Sequence, residues 1–156
     1  MQCSSCGANI SRGDHYCPYC GAENPQYELP VAEVDALLEK GMKAYQADEF
    51  ATAVSCYRRA ILLDPDLFNA YFYLAASLSA LGKEKEAIKT MEQARSLNPG
   101  SAAVHYNLGL LYKQTGQGKA ARKSLAKALD VVATDTAVQN PENMKRLIKQ
   151  ELAALR

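Results

Sequence analysis

The sequence predicts a mainly α chain: a stack of three helix-turn-helix units, closed by a C-terminal helix and preceded by a very small module tied together by metal. Three features carry that expectation. A 34-residue period runs through the middle of the chain, two matched cysteine pairs stand within the first 20 residues, and one amphipathic stripe ends the chain. With 156 residues there is room for a minimal module and one modest domain.

The small module comes first. Cys3-x2-Cys6 and Cys17-x2-Cys20 form two thiol hooks ten residues apart, each followed directly by a glycine, Gly7 and Gly21. Two intervening residues let both sulfurs of a hook face one ion, and the glycine suits the left-handed conformation that closes such a turn. Four thiolates complete a tetrahedral shell and leave no open position, so the expected site is structural, with one Zn2+ held by Cys3, Cys6, Cys17 and Cys20. The rival readings are two disulfides, a redox pair, or iron. Rubredoxins share the Cys-Pro-x-Cys-Gly pattern seen at Cys17-Pro18-Tyr19-Cys20-Gly21, but the short loop and small aromatic complement favour zinc. His15 reads as a loop residue outside the shell. The segment resembles the minimal zinc-ribbon family over residues 1–23. A peptide this small buries too little apolar surface to fold alone, so metal must supply its folding free energy.

Residues 24–33 read as a linker, because Pro25 and Pro30 favour extended backbone. Beyond it the columns repeat. Gly41, Ala75 and Gly109 share one position, Ala53, Ala87 and Ala121 a second, and Ala60, Ala94 and Ala128 a third. Larger residues recur beside them: Tyr57, Met91 and Leu125, then Leu63, Leu97 and Val131. Pro65 and Pro99 close the first two units where a helix should stop. This pattern resembles the tetratricopeptide repeat, which implies a right-handed α-solenoid with units at residues 34–67, 68–101 and 102–135. Leu37, Tyr71 and His105 replace the family's tryptophan column, and Lys40 opens its leucine column. Ala133 stands where a third proline is due, so the last helix either runs on or hands over differently. Residues 136–156 are expected to cap the open end. Asn140 can accept from free N–H groups, Pro141 suits the first turn, and Met144, Leu147, Ile148, Leu152 and Leu155 form the stripe. The expected seat for Leu147, Ile148 and Leu152 is the face around Leu125, Leu129 and Val132; folding back into the groove is the alternative.

The resemblance also implies that the first helix of each unit lines a concave groove. The residues it brings there are Leu38, Met42, Tyr45, Phe72, Tyr73, Tyr106, Asn107 and Leu110, a largely apolar and aromatic stripe of the kind that marks an interaction site. A subclass of the family grips chaperone C-termini with a cationic clamp; the matching positions here, Leu38, Met42, Tyr73, Ala103 and Asn107, contain no cation. The expected partner is therefore a peptide or helix of another protein, held by apolar anchors.

Other classes are less favoured. No nucleophile motif, phosphate loop or catalytic carboxylate pair is present, and His105 and Cys56 fall at packing positions, so no enzyme is expected. Charge is balanced, 18 basic against 17 acidic residues, and the ribbon is not basic, which argues against a nucleic-acid-associated factor. A redox-responsive zinc protein stays as the second alternative. The chain opens Met-Gln-Cys-Ser-Ser-Cys, unlike an export signal, and its most apolar stretch, residues 71–81, is far short of the roughly 20 needed to cross a bilayer. A cytoplasmic protein is the expectation.

Overall fold

The computed structural model describes residues 1–155. Six helices form three antiparallel pairs: α1 (Val31–Gln46) with α2 (Phe50–Leu63), α3 (Phe68–Ala80) with α4 (Glu84–Leu97), and α5 (Ala102–Gln114) with α6 (Gly118–Val131). A seventh, α7 (Pro141–Ala154), packs on α6. The turn inside each pair obeys the same rule. Asp48, Gly82 and Gly116 occupy one column of the repeat and all have left-handed backbones, with φ of 59°, 76° and 76°. The following N–H then reaches back to a carbonyl five residues earlier, Glu49 to Ala44, Lys83 to Leu78 and Gln117 to Tyr112, capping the orphan carbonyls of the first helix.

Close approach within each pair comes from the small-residue column. A Cβ added at Gly109 would lie 2.5 and 2.7 Å from the Cγ and Cδ2 of Leu125, and one at Gly41 would lie 3.0–3.2 Å from the Tyr57 ring. The large partners fill what the glycines vacate: Tyr57, Met91 and Leu125 are all essentially inaccessible. They belong to a core that runs without a break from Ala44 to Leu111 and continues around Leu125.

The third unit does not run on. Helix α6 stops at Val131, in register with Leu63 and Leu97, and the missing proline is replaced by a polar tie. Asp135 accepts from the Ala102 N–H at 2.8 Å through Oδ2 and from the Ala137 N–H at 3.0 Å through Oδ1, fastening the loop to the start of α5. The chain then enters α7 with Pro141 in its first turn and the Asn140 side chain accepting from the Asn143 N–H. Ile148 is fully buried against Leu125 and Ala128, with Met144, Leu152 and Leu155 around it. Arg122 donates to the Leu155 carbonyl at 2.8 Å and Lys113 pairs with Glu151 at 2.8 Å. The helix is thus a cap. One detail differs from the expected seat: Leu147 lines the concave-side cavity, while Ile148, about 100° further round the helix, takes the place against α6. Among the described residues no helix is long and apolar enough to cross a membrane.

The Gly109–Leu125 contact generates a test. Gly109→Ala should lower stability by about 1–3 kcal/mol through overpacking, because the clash falls on a branched carbon enclosed by the core. Thermal unfolding followed by circular dichroism measures the loss, and a melting temperature equal to the parent's contradicts the packing account.

Candidate functional site

The first site is built by two copies of one backbone device. In each hook the cysteine carbonyl accepts from the glycine four residues on, Cys3 from Gly7 and Cys17 from Gly21, both at 2.9 Å, with the glycines at φ of 72° and 73°. The N–H groups of Cys3 and Cys17 are bound to the carbonyls of Ala8 and Ala22 at 2.8 Å. The two hooks face each other, so that Cys3 Sγ lies 3.7 Å from Cys20 Sγ and Cys6 Sγ 3.7 Å from Cys17 Sγ, with all four sulfurs within 4.8 Å of one another. A disulfide needs about 2.05 Å. A tetrahedron with metal–sulfur bonds of about 2.3 Å places its sulfurs about 3.8 Å apart, close to the 3.7 Å of the two pairs Cys3–Cys20 and Cys6–Cys17. The donor set therefore fits a closed, four-thiolate metal site.

Electrostatics point the same way. The backbone N–H groups of Cys6 and Ser5 directed at Cys3 bring its thiol down to about 6. The Ala8 N–H acts similarly on Cys6, but the crowding of Cys20, Cys17 and Cys3, aided by desolvation, outweighs it and pushes that thiol up to about 12. Four thiolates this close need a cation among them. His15 stays outside the shell, stacked on Tyr27 with ring centroids 4.5 Å apart and with Nε2 3.8 Å from Glu23.

The segment after the ribbon is no free spacer. Asn24 is buried; its side-chain amide donates to the Ser11 and Asp14 carbonyls at 3.2 and 2.9 Å, and its oxygen accepts from the Gln26 N–H at 3.0 Å. Glu28 N–H bonds the Arg12 carbonyl at 3.0 Å. Tyr27, stacked on His15 on one side, donates its hydroxyl to the Leu63 carbonyl at 2.9 Å, one of the orphan acceptors at the end of α2. Burial, with Asp64 nearby, holds that hydroxyl in its protonated, donating form.

The second site lies on the first helices of the pairs. Tyr45 meets Tyr73 edge-on at 5.4 Å, Phe72 meets Tyr73 at 5.3 Å and Phe68 lies 6.1 Å from Phe72, an unbroken run of half-buried rings across α1 and α3. Phe72 and Tyr73 border an open cavity of about 450 Å3, whose opposite wall is made by Val138, Met144 and Leu147. Its rim carries the amides Asn69, Gln139 and Asn143; Asp135 is its one charged lining residue, and both oxygens already accept backbone N–H bonds. A second depression, of about 260 Å3, holds Tyr45, Asn107 and Leu110 together. The Asn107 amide donates to the Ala103 carbonyl at 2.7 Å, so only part of it is free for a ligand. Leu38 packs on the core beside Tyr45, and Met42 is half-buried one turn along the same helix. Tyr106 is drawn under α7, against the cluster around Ile148.

Sequence reasoning therefore named the aromatic floor but missed the wall. Residues 135–147 carry no repeat signal, and the only cue was that α7 shows apolar residues at adjacent positions 147 and 148, one more direction than a simple cap needs. The packing residues behave as read: His105 is buried with Nε2 2.7 Å from the Pro99 carbonyl, and Cys56 is buried.

Comparison with known proteins places both modules. Residues 2–24 match the zinc-ribbon domain, and residues 78–140 and 56–89 match two tetratricopeptide-repeat models. A peroxisomal targeting signal receptor of Kluyveromyces lactis is 29% identical over 133 residues, which is 81% of this chain and 23% of that protein. The small glutamine-rich tetratricopeptide repeat-containing protein 2 of Saccharomyces cerevisiae is 28% identical over 142 residues, 84% of this chain and 40% of that one. The chain thus spans less than half the length of either relative. Among solved structures, PcrH from Pseudomonas aeruginosa superposes with a TM-score of 0.74 at 18% identity, covering 82% of this chain and 95% of that one. The type III secretion translocator chaperone SycD of Yersinia enterocolitica, in complex with a peptide of the translocator YopD, does so with a TM-score of 0.73 at 16% identity, covering 80% and 92%. At such identities the likeness is one of fold.

The bond from Tyr27 to Leu63 is open to a direct test. Tyr27→Phe keeps the ring stacked on His15 and removes the hydroxyl, so it should cost about 0.5–1.5 kcal/mol of repeat stability, read as a lower urea midpoint with unchanged metal content. An unchanged midpoint means that the ribbon does not brace the repeats.

Proposed function

We propose that this chain, a zinc ribbon joined to tetratricopeptide repeats, is a non-enzymatic cytoplasmic adaptor that holds a peptide or helix of a partner protein on its concave face. The groove runs along Leu38, Met42, Tyr45, Phe72, Tyr73, Asn107 and Leu110, with Tyr106 beneath its α7 wall. One observation carries the reading: a continuous half-buried aromatic floor opens into a cavity of about 450 Å3 that α7 completes without filling. A volume of that size takes a few side chains of a bound segment, and exposed apolar concavities of this kind mark binding sites. Solved neighbours of the same fold support it at the level of architecture, since SycD and PcrH have been crystallised with segments of YopD and PopD.

The chemistry of the groove argues for apolar anchors with backbone contacts. Rim amides can donate to and accept from an extended backbone, and no unpaired cation stands in the cavity to draw a terminal carboxylate. Leu147 and Met144 would pack on one side of an anchor and Phe72 on the other. The ribbon, in the same reading, holds one structural zinc: the sulfur spacing fits, and a shell of four thiolates leaves no position for substrate or water.

For the metal, protein purified without added ions should contain one zinc per chain by elemental analysis, and Cys17→Ser should lose it while keeping nearly all the helical circular dichroism. Iron in its place, or less than about half an equivalent, contradicts the assignment. For the groove, peptides selected from a display library of uncharged sequences should bind the parent and lose about thirtyfold with Phe72→Ala, the equivalent of about 2 kcal/mol for one aromatic anchor. Raising salt should change that binding little. Selected peptides that bind folded Phe72→Ala as well as the parent would remove the groove from consideration.

A further inference from the structure

We propose that the outer face of α6 and the adjoining edge of α7 form a second, basic docking surface, separate from the concave groove, that takes a short acidic segment of a partner protein. Within α6, Lys119, Lys123 and Lys127 stand four residues apart with Arg122 beside them, all exposed, against the single acid Asp130. Arg122 and Lys149 flank the shallow depression between α6 and α7, above Leu152 and Ala153, so the two helices carry the charge jointly.

The density of like charge sets the arrangement apart rather than the lack of partners, since Lys40, Lys83, Lys85, Lys89, Arg95 and Arg146 also stand outside the ion pairs. Seven close contacts between basic and acidic side chains occur among the described residues, six of lysine or arginine and one of His15, including Lys43 with Glu39, Arg59 with Glu33 and Arg58 with Glu86. None of the seven engages Lys119, Arg122, Lys123, Lys127 or Lys149. Like charges four residues apart on a helix disfavour it by a few tenths of a kcal/mol per pair, roughly the reverse of an ion pair, and here that spacing occurs twice in succession. Balanced total charge conceals the feature: residues 1–66 hold five basic and ten acidic side chains, residues 118–156 eight basic and four acidic.

That polarity also selects the partner. A long polyanion seated on α6 would have to cross the nearly neutral second unit and would be repelled by the acidic residues 1–66 beyond it, whereas a short acidic segment stays within the basic end. Bases would need aromatic platforms, and the most exposed aromatics, Tyr16 and Tyr19, are on the ribbon. A lipid surface would need apolar anchors next to the lysines, and Leu152 is half-buried, turned from α7 against the cluster of Leu125, Ala128 and Ile148. Lysines four apart rise about 6 Å along the axis, which matches carboxylates four apart on an acidic helix laid alongside.

The test titrates the full-length protein with a fluorescent helical peptide bearing glutamates at every fourth position, a twelve-nucleotide single-stranded oligonucleotide, and vesicles containing phosphatidylserine. The peptide should bind, weaken about tenfold between low and moderately high salt, and weaken about as much with Lys119→Gln/Lys123→Gln/Lys127→Gln, while Phe72→Ala leaves it unchanged. The triple variant alters only exposed positions, and circular dichroism checks that it is folded. Tighter binding of the oligonucleotide or the vesicles overturns the choice of partner. Salt-sensitive self-association that the triple variant abolishes assigns the surface to a second copy of the chain and overturns it equally. Absence of peptide binding, or binding indifferent to the triple variant, reduces the lysine column to a solvated face.

Discussion

Every larger distance in the array depends on three points where a small residue of a first helix meets a large one of the second. Gly41 faces Tyr57, Gly109 faces Leu125, and Ala75 with Met91 occupies the same position between them in the repeat. The side chain missing from one helix is where the other helix's bulk goes, so the pair closes to a fixed separation and a fixed angle. Stacking three such pairs then leaves no freedom in how the first helices line up, and the ring-to-ring contacts from Phe68 to Tyr45 follow. The groove is a consequence of that packing. It has a cost visible at Tyr57, whose buried hydroxyl has no hydrogen-bond partner; burial, with Tyr73, Cys56 and Tyr45 beside it, pushes its pKa up to about 12. An aromatic ring of that size opposite Gly41 fills the space, and the hydroxyl is carried along.

What the sequence made legible is what repeats. A period of 34 residues samples each structural position three times, so a column such as Ala53, Ala87 and Ala121 can be recognised although any one alanine would be uninformative. The cysteine hooks are legible for a related reason, being one device written twice. What stayed hidden occurs once. Nothing in the sequence announces that Asp135 reaches the Ala102 N–H, 33 positions away, or that Tyr27 reaches the Leu63 carbonyl, because single long-range hydrogen bonds leave no spacing behind. The wall of the cavity was illegible in the same way: α7 reads as a cap from its stripe, and its second role follows only from where Asp135 sets the preceding loop.

The linker shows how a small metal module can matter to a larger fold. A ribbon of this size has too small an apolar core to order itself without a bound ion, yet its own edge extends through Asn24 and Glu28, which bond back to the loop between the hooks. Tyr27 belongs to that extension and touches the end of α2. Helix ends expose carbonyls that must find donors or water. The ribbon supplies one, so the first unit, which has no preceding pair to cover it, is braced at this point by a module whose order depends on metal.

Charge is distributed so as to leave these features undisturbed. Charged groups are almost absent from the cavity lining, while they crowd the outer faces of α4 and α6; the first unit departs from this, with Glu33, Asp35, Glu39, Lys40 and Lys43 on α1 and only Arg58 and Arg59 on α2. A cavity with so little charge imposes no long-range field on what approaches it, and in the proposed reading recognition there would rest on fit and on hydrogen bonds made at contact. A charged outer face does the opposite, acting at a distance and fading with salt. The repeat architecture allows both in one small chain because the first helices are turned inward and the second helices outward. In the second and third units the period that packs the core therefore also sorts the surface, placing short-range chemistry on one side of the array and long-range chemistry on the other.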